Sequence, residues 1–152
     1  FIFIRPSHNC RSTEINAVLG LSQIKKLDSN NTIRKDNFKY FMDRLDPNKF
    51  FTDFEMGGQC NYAFIAIIRN PSFEERDLLE NALSENRIEF RRGLSGGGNQ
   101  LRQPYFKKNF NIDYSDFNNI EHIHNFSWYI GNYPSLDLSK IDYLLNVLNN
   151  YK

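Results

Sequence analysis

Apolar residues recur along the chain with a helical period in some stretches and a strand-like one in others. Over 13–27, Ile15, Ala17, Val18, Leu19, Leu21, Ile24 and Leu27 leave little polar face, which predicts a helix buried nearly all round. Ser12 or Thr13 can cap it, and Glu14 in the first turn suits the helix dipole. Gly20 in its interior costs about 1 kcal/mol against Ala, so a packing partner is expected close by. After a polar break, Asp28-Ser-Asn-Asn31, the residues Phe38, Phe41, Met42 and Leu45 fall at i, i+3, i+4 and i+7. That is a second amphipathic helix, ended by Asp46-Pro47.

Strand-like runs lie on either side of these helices. Phe1–Ile4 is apolar and broken by Arg5-Pro6-Ser7; Phe50–Glu55 reads as a possible strand, with a turn at Gly57-Gly58. Asn61–Arg69 (NYAFIAIIR) is the best strand, apolar on both faces and therefore expected at the centre of a sheet. Ser72-Phe-Glu-Glu75 is a capping box that opens a helix carrying Leu78, Leu79, Ala82 and Leu83, ended by Asn86. A strand over 88–92, a helix over 116–126 with Phe117, Ile120 and Ile123, and a strand over 128–132 follow. Asp137 caps a last helix carrying Ile141, Leu144, Leu145 and Leu148. The fold class is α+β: a small, mostly antiparallel sheet with flanking helices, preceded by a long helix or helix pair.

Length and charge narrow the function classes. At 152 residues the chain is one domain, long enough to bury a core. Its 19 basic and 18 acidic residues give a net charge of +1, which carries no nucleic-acid or membrane footprint. No signal-peptide pattern and no apolar run of 18 residues occurs, which points to the cytoplasm. Cys10 and Cys60 lack metal spacing and read as reduced thiols. The first residues are Phe-Ile-Phe-Ile with no initiator Met, so a piece of a longer protein is expected.

The candidate chemistry sits in Arg91-Arg92-Gly-Leu-Ser-Gly96-Gly97-Gly98-Asn99-Gln100-Leu-Arg102-Gln103-Pro104-Tyr105. A Gly triplet between arginines and amide side chains offers the guanidinium forks and backbone N–H groups that a phosphate or diphosphate needs. A flexible connector with solvated arginines fits the same composition. No Gly-Lys-Ser/Thr follows, so it is no P-loop, and no G-x-G-x-x-G opens a helix. On a strand Arg91 and Arg92 point to opposite faces; Arg92 shares the face of Phe90 and is the one expected to meet substrate. His122 and His124 lie at i, i+2 and point apart on a helix, which argues against a metal site. Aromatics beside bases at Tyr105-Phe106-Lys107-Lys108 could stack on single-stranded nucleic acid, but the neutral overall charge argues against it.

The segment from His8 to Leu27, HNCRSTEINAVLGLSQIKKL, resembles the "GYNYRxTDxQAAxGLxQLxKL" signature of the DegT/StrS family of pyridoxal-phosphate (PLP) sugar aminotransferases and dehydratases. Asn9, Arg11, Thr13, Glu14, Ala17, Gly20, Leu21, Gln23 and Leu27 fall in step with it. "IEFRRGLSGGGNQLRQPY" is similar to the family's "GIExRP…GNLxxQP", and "NIEHIHNFSWYIGNYPSL" to its "NAxxIHxxGFYIGNxPxL". The long Gly loop is most like the nucleotide-sugar 3-dehydratase branch, in which a His can replace the Schiff-base Lys. Cys10, Ser12 and Phe126-Ser127-Trp128 depart from the pattern.

The resemblance implies a C-terminal fragment of a fold-type I PLP enzyme, with connecting helices over 1–46 and a small α+β domain over 47–152. The large domain with the cofactor lysine or histidine lies outside the resemblance, so no catalytic residue is expected here and the fragment alone is expected to be inactive. Asn9 and Arg11 would reach the cofactor phosphate of a neighbouring subunit in a homodimer. Arg91, Arg92, Asn99, Arg102, Gln103 and Tyr105 would face a nucleotide-sugar substrate in polysaccharide sugar biosynthesis. No metal, membrane or nucleic-acid partner is implied. The competing class is a stand-alone, non-enzymatic binding or self-association module.

Overall fold

The computed structural model describes residues 2, 4, 12–93 and 98–152. Among them the chain runs α1 (Glu14–Gln23), a 3-10 turn (Ile24–Lys26), α2 (Leu27–Met42), β1 (Ala63–Ile67), α3 (Phe73–Glu85), β2 (Arg91–Arg92), a 3-10 turn (Gln100–Arg102), α4 (Pro104–Asn109), a 3-10 turn (Tyr114–Asp116), α5 (Asn118–Phe126), β3 (Ser127–Gly131) and α6 (Leu138–Asn150). The three strands form one antiparallel sheet in the order β1-β3-β2. This is the α+β class read from the sequence.

The sheet buries one face. Alternation puts Phe64 and Ala66 of β1 beside Ile130 and Trp128 of β3, their direct partners in register. Against them pack Phe38, Phe41 and Met42 of α2, Leu79 and Leu83 of α3, and Ile141, Leu144, Leu145 and Leu148 of α6. Phe41 and Phe64 stack at 4.6 Å. Helix ends follow the capping residues: Ser72 Oγ accepts from Glu75 N at 3.2 Å, Asp137 accepts from Ser139 N, and Thr13 Oγ1 accepts from Asn16 N. Buried Asn132 seals the far end of the sheet, donating to the carbonyls of Arg34 and Asn61, each at 2.9 Å, and accepting from Asn37.

Several expectations are corrected. The helix expected to be buried nearly all round is exposed throughout: Ile15 at 73 %, Val18 at 67 % and Leu21 at 70 %. An apolar circumference says that a helix wants cover, and not that the cover comes from its own chain. Beyond its own helix backbone and chain neighbours, no described heavy atom lies within 4 Å of where a Cβ on Gly20 would sit, so no described residue is pressed against it. The polar break at 28–31 does not stop the helix; Ser29 and Thr32 hydroxyls bond carbonyls three and four residues back, and α2 runs through.

In the sheet, β1 is an edge strand and β3 is central; apolar residues on both faces of β1 call for cover above and below the sheet, which says nothing of whether a strand lies on each side. Phe50–Glu55 gives only an isolated bridge, Phe50 to Ile68, and the strand expected over 88–92 shrinks to Arg91–Arg92. The sequence reading missed α4, which follows Gln103 with Pro104 in its first turn. Ile2 and Ile4 are not in a strand; Phe1, Phe3, Asn9, Arg11, Gly96 and Gly97 lie outside the described residues.

Candidate functional site: the Arg/Gly loop and its seat on α5

Strand β2 delivers the loop, and its two arginines part company there. Arg91 pairs with Tyr129 and Arg92 with Trp128, so they project to opposite faces of the sheet. Arg92, on the core face, makes a two-pronged ion pair with Glu80 of α3, Nε to Oε1 and Nη2 to Oε2, both at 2.5 Å. Arg91, on the other face, is exposed, and its guanidinium has no hydrogen bond or ion pair among the described residues. Beside it opens a cleft of about 580 Å³ lined by Tyr62, Tyr129, Gly131, Tyr133 and Glu89. The guanidinium fork of Arg92 is committed to Glu80, whereas that of Arg91 stays open.

Gly93 continues the chain where nothing larger fits. A Cβ there would stand 2.3 Å from Ser127 Oγ and 2.6 Å from the Ile123 carbonyl oxygen. The loop thus leaves the sheet by passing against the junction of α5 and β3. Where the described chain resumes, Gly98 has φ +47°, a left-handed conformation that favours glycine.

The next residues are fixed to α5. Asn99 is fully buried. Its backbone N–H donates to His124 Nδ1 at 3.0 Å, its Nδ2 donates to Glu121 Oε1 at 2.6 Å, and its Oδ1 accepts from Leu101 N at 3.0 Å. Arg102 forks onto the same carboxylate, Nε to Oε1 at 2.8 Å and Nη2 to Oε2, while its guanidinium lies 4.7 Å from the centre of the Tyr114 ring. Gln103 is buried at the start of α4. Tyr105 is half-buried, and its hydroxyl donates to Gln100 Oε1 at 2.9 Å.

Glu121 and His124 are one helical turn apart, which puts them on the same face of α5. The Arg102 fork, followed by the Asn99 amide, holds the Glu121 carboxyl below its ordinary range, against burial that pushes the other way. Burial, with Arg102 nearby, pushes the His124 imidazole down. His122, two residues earlier, turns to another partner, the Ile68 carbonyl at 2.6 Å.

Of the residues singled out in the sequence, Asn99, Arg102, Gln103 and Tyr105 therefore meet in one loop–turn–helix unit. Arg91 stands apart on the cleft, and Arg92 faces α3. Sequence reasoning missed Glu121 and Glu80, the two carboxylates that organise the arginines. The spacing of Glu121 and His124 at i, i+3 was the signal on offer, but a partner 19 or 25 residues away carries no local mark.

This loop and its flanks can be set beside known proteins. The family model described as the DegT/DnrJ/EryC1/StrS aminotransferase family matches residues 3–149. The chain belongs to this family. It is 30 % identical over 152 residues to the GDP-4-keto-6-deoxy-D-mannose 3-dehydratase of Escherichia coli O55:H7, covering 97 % of this chain and 38 % of that protein. It is 28 % identical to the lipopolysaccharide biosynthesis protein RfbH of Salmonella typhimurium, covering 95 % of this chain and 33 % of that one.

Among solved structures, the E. coli 3-dehydratase with bound hydrated PLP superposes with a TM-score of 0.76 at 29 % identity, covering 97 % of this chain and 38 % of that one. A sugar aminotransferase from Streptococcus pneumoniae shares the fold at a TM-score of 0.73 and 19 % identity. The chain thus spans about 38 % of the length of the first of these relatives. Among the described residues, no helix is long and apolar enough to cross a membrane.

Proposed function

We propose that this chain forms the C-terminal part of a PLP-dependent nucleotide-sugar 3-dehydratase that acts on a 4-keto-6-deoxy sugar nucleotide for surface polysaccharide. Amino transfer on the same substrate class is the runner-up. The observation that carries the choice is the likeness along almost the whole chain to 3-dehydratases at 28–30 % identity, against 19 % for the aminotransferase that shares the fold.

PLP would supply the electron sink for such a reaction. Asn9 and Arg11 would hold its phosphate; both lie outside the described residues. The described donors of Asn99 and Arg102 are turned to Glu121. What the described residues offer is an open guanidinium at Arg91 over a tyrosine-lined cleft, suited to an anionic, ring-bearing substrate. The loop end tied to α5 through Asn99 and Arg102 stands apart from this cleft and would border the substrate from another side.

The reading also holds that the full-length protein works as a homodimer in the cytoplasm and that the 152-residue polypeptide by itself is inactive. The test is product analysis with the full-length protein, glutamate and the 4-keto-6-deoxy sugar nucleotide. A product without the C3 hydroxyl supports dehydration, and a C4 amine supports the runner-up.

A further inference from the structure

The His124–Asn99 contact fixes a protonation state. A backbone N–H can only donate, so at 3.0 Å from the Asn99 nitrogen His124 Nδ1 must present its lone pair, and the ring is neutral with its proton on Nε2. One turn away, Glu121 must be ionised, since it accepts from Asn99 Nδ2 and from both prongs of Arg102. Four donor groups of Asn99 and Arg102 are thus caught by two side chains on one face of α5, around a side chain with no solvent exposure at all.

We infer that Glu121 and His124 are positioning residues that lock Gly98–Gln103 onto α5, and that the lock holds only while His124 is neutral. Protonating Nδ1 puts two N–H groups face to face and strands the Asn99 amide in a buried place, where a lost hydrogen bond cannot be replaced by water. The charged groups acting on the ring are Arg102, which opposes its protonation, and Glu121, which favours it. The other elements packed on α5 bring Arg91 and Arg92 from β2, the latter held by Glu80, the Tyr129 phenol from β3, and Tyr114 and Asp116 from the turn before the helix. The consequence for substrate rests on the reading above, in which this loop borders the nucleotide-sugar site.

The lock and its consequence are read separately in the full-length protein. Amide hydrogen exchange at Asn99, expressed as protection over the intrinsic rate, is followed from neutral pH to pH ~5, well below an ordinary histidine. Three proteins are compared: wild type, His124→Asn and His124→Leu. Asn places a neutral acceptor near the position of Nδ1, whereas Leu has none.

Wild type should lose protection by up to roughly thirtyfold on acidification to pH ~5, the limit that one histidine of ordinary pKa can set. His124→Asn should stay protected at both pH values, and His124→Leu should be unprotected at both. In parallel, KM for the nucleotide sugar should rise wherever protection is lost, with kcat changing less. Wild-type protection that does not change with pH, or an Asn variant that titrates like wild type, overturns the lock. Protection that follows the expected pattern while KM stays put in all three overturns the positioning role. Absence of any dehydration or amino transfer by wild type strikes the functional reading instead, and the exchange data still decide the lock.

Discussion

Arg92 and Trp128 face each other across β2 and β3 and share one oxygen of Glu80, which accepts from Arg92 Nε at 2.5 Å and from Trp128 Nε1 at 2.9 Å. Trp128 is buried to within 1 %. Its indole N–H has no water to fall back on, so this carboxylate holds both the arginine and the largest side chain of the core.

Glu80→Ala should therefore destabilise by about 1–3 kcal/mol, the cost of orphaning a buried donor. Glu80→Gln keeps an acceptor for the indole and should lose less. Urea unfolding of the two variants and wild type checks the order. Equal losses would mean that the Trp128 bond contributes nothing.

Gly93→Ala puts a methyl 2.6 Å from a backbone carbonyl at the end of α5, and the carbonyl cannot step aside without moving the helix. A loss of roughly 1–3 kcal/mol is expected from overpacking alone. Gly20→Ala, where no described atom beyond its own helix backbone and chain neighbours lies within 4 Å of the new methyl, should be neutral or stabilising. Thermal unfolding of both variants tests the contrast, and a tolerated alanine at 93 would contradict the described path of the loop.

Acid should weaken the protein in two windows. His124's pKa is depressed on folding, so its contribution is complete above the ordinary value of 6.5 and is lost as pH falls from there through the folded pKa. Glu121 is depressed likewise, so its contribution is complete above 4.5 and is lost as pH falls through its own lower folded value. Stability measured against pH should show wild type losing more than His124→Asn in the upper window and more than Glu121→Gln in the lower one. Parallel curves would remove both groups from the balance.

The elements that were legible in the sequence are those whose signal is local. Ser72 and Asp137 announce their helices by capping, and Phe38, Phe41 and Met42 mark the buried face of α2 by spacing alone, with Leu45 buried just beyond its end. Strand order was not legible, because Asn61–Arg69 and Ser127–Gly131 are both apolar and nothing local says which one receives a neighbour on each side. The loop's arginines could be seen, but their ties could not. Glu80 and Glu121 look like ordinary surface acids of amphipathic helices until the fold brings Arg92 and Arg102 onto them. The apolar circumference of α1 is legible as a pattern, but what covers it is not: among the described residues it stays exposed.

That same circumference predicts self-association of the 152-residue polypeptide. Ile15, Val18, Leu19, Leu21 and Ile24 are each more than half exposed on α1 and the turn after it, a patch large enough to favour association. Sedimentation should show dimers or larger species, shifted towards monomer by Leu21→Asp with Ile24→Asp. A monomer at all concentrations in the unaltered polypeptide would contradict this.

A 3-dehydratase is defined by what it does at C3 of the sugar. Full-length protein incubated with glutamate and a GDP-linked 4-keto-6-deoxy sugar, with the product read by mass spectrometry and NMR, tests that chemistry most directly. The expected product is a nucleotide sugar that keeps the C4 ketone and carries a methylene at C3. A product with an amine at C4 and the C3 hydroxyl intact would contradict dehydration.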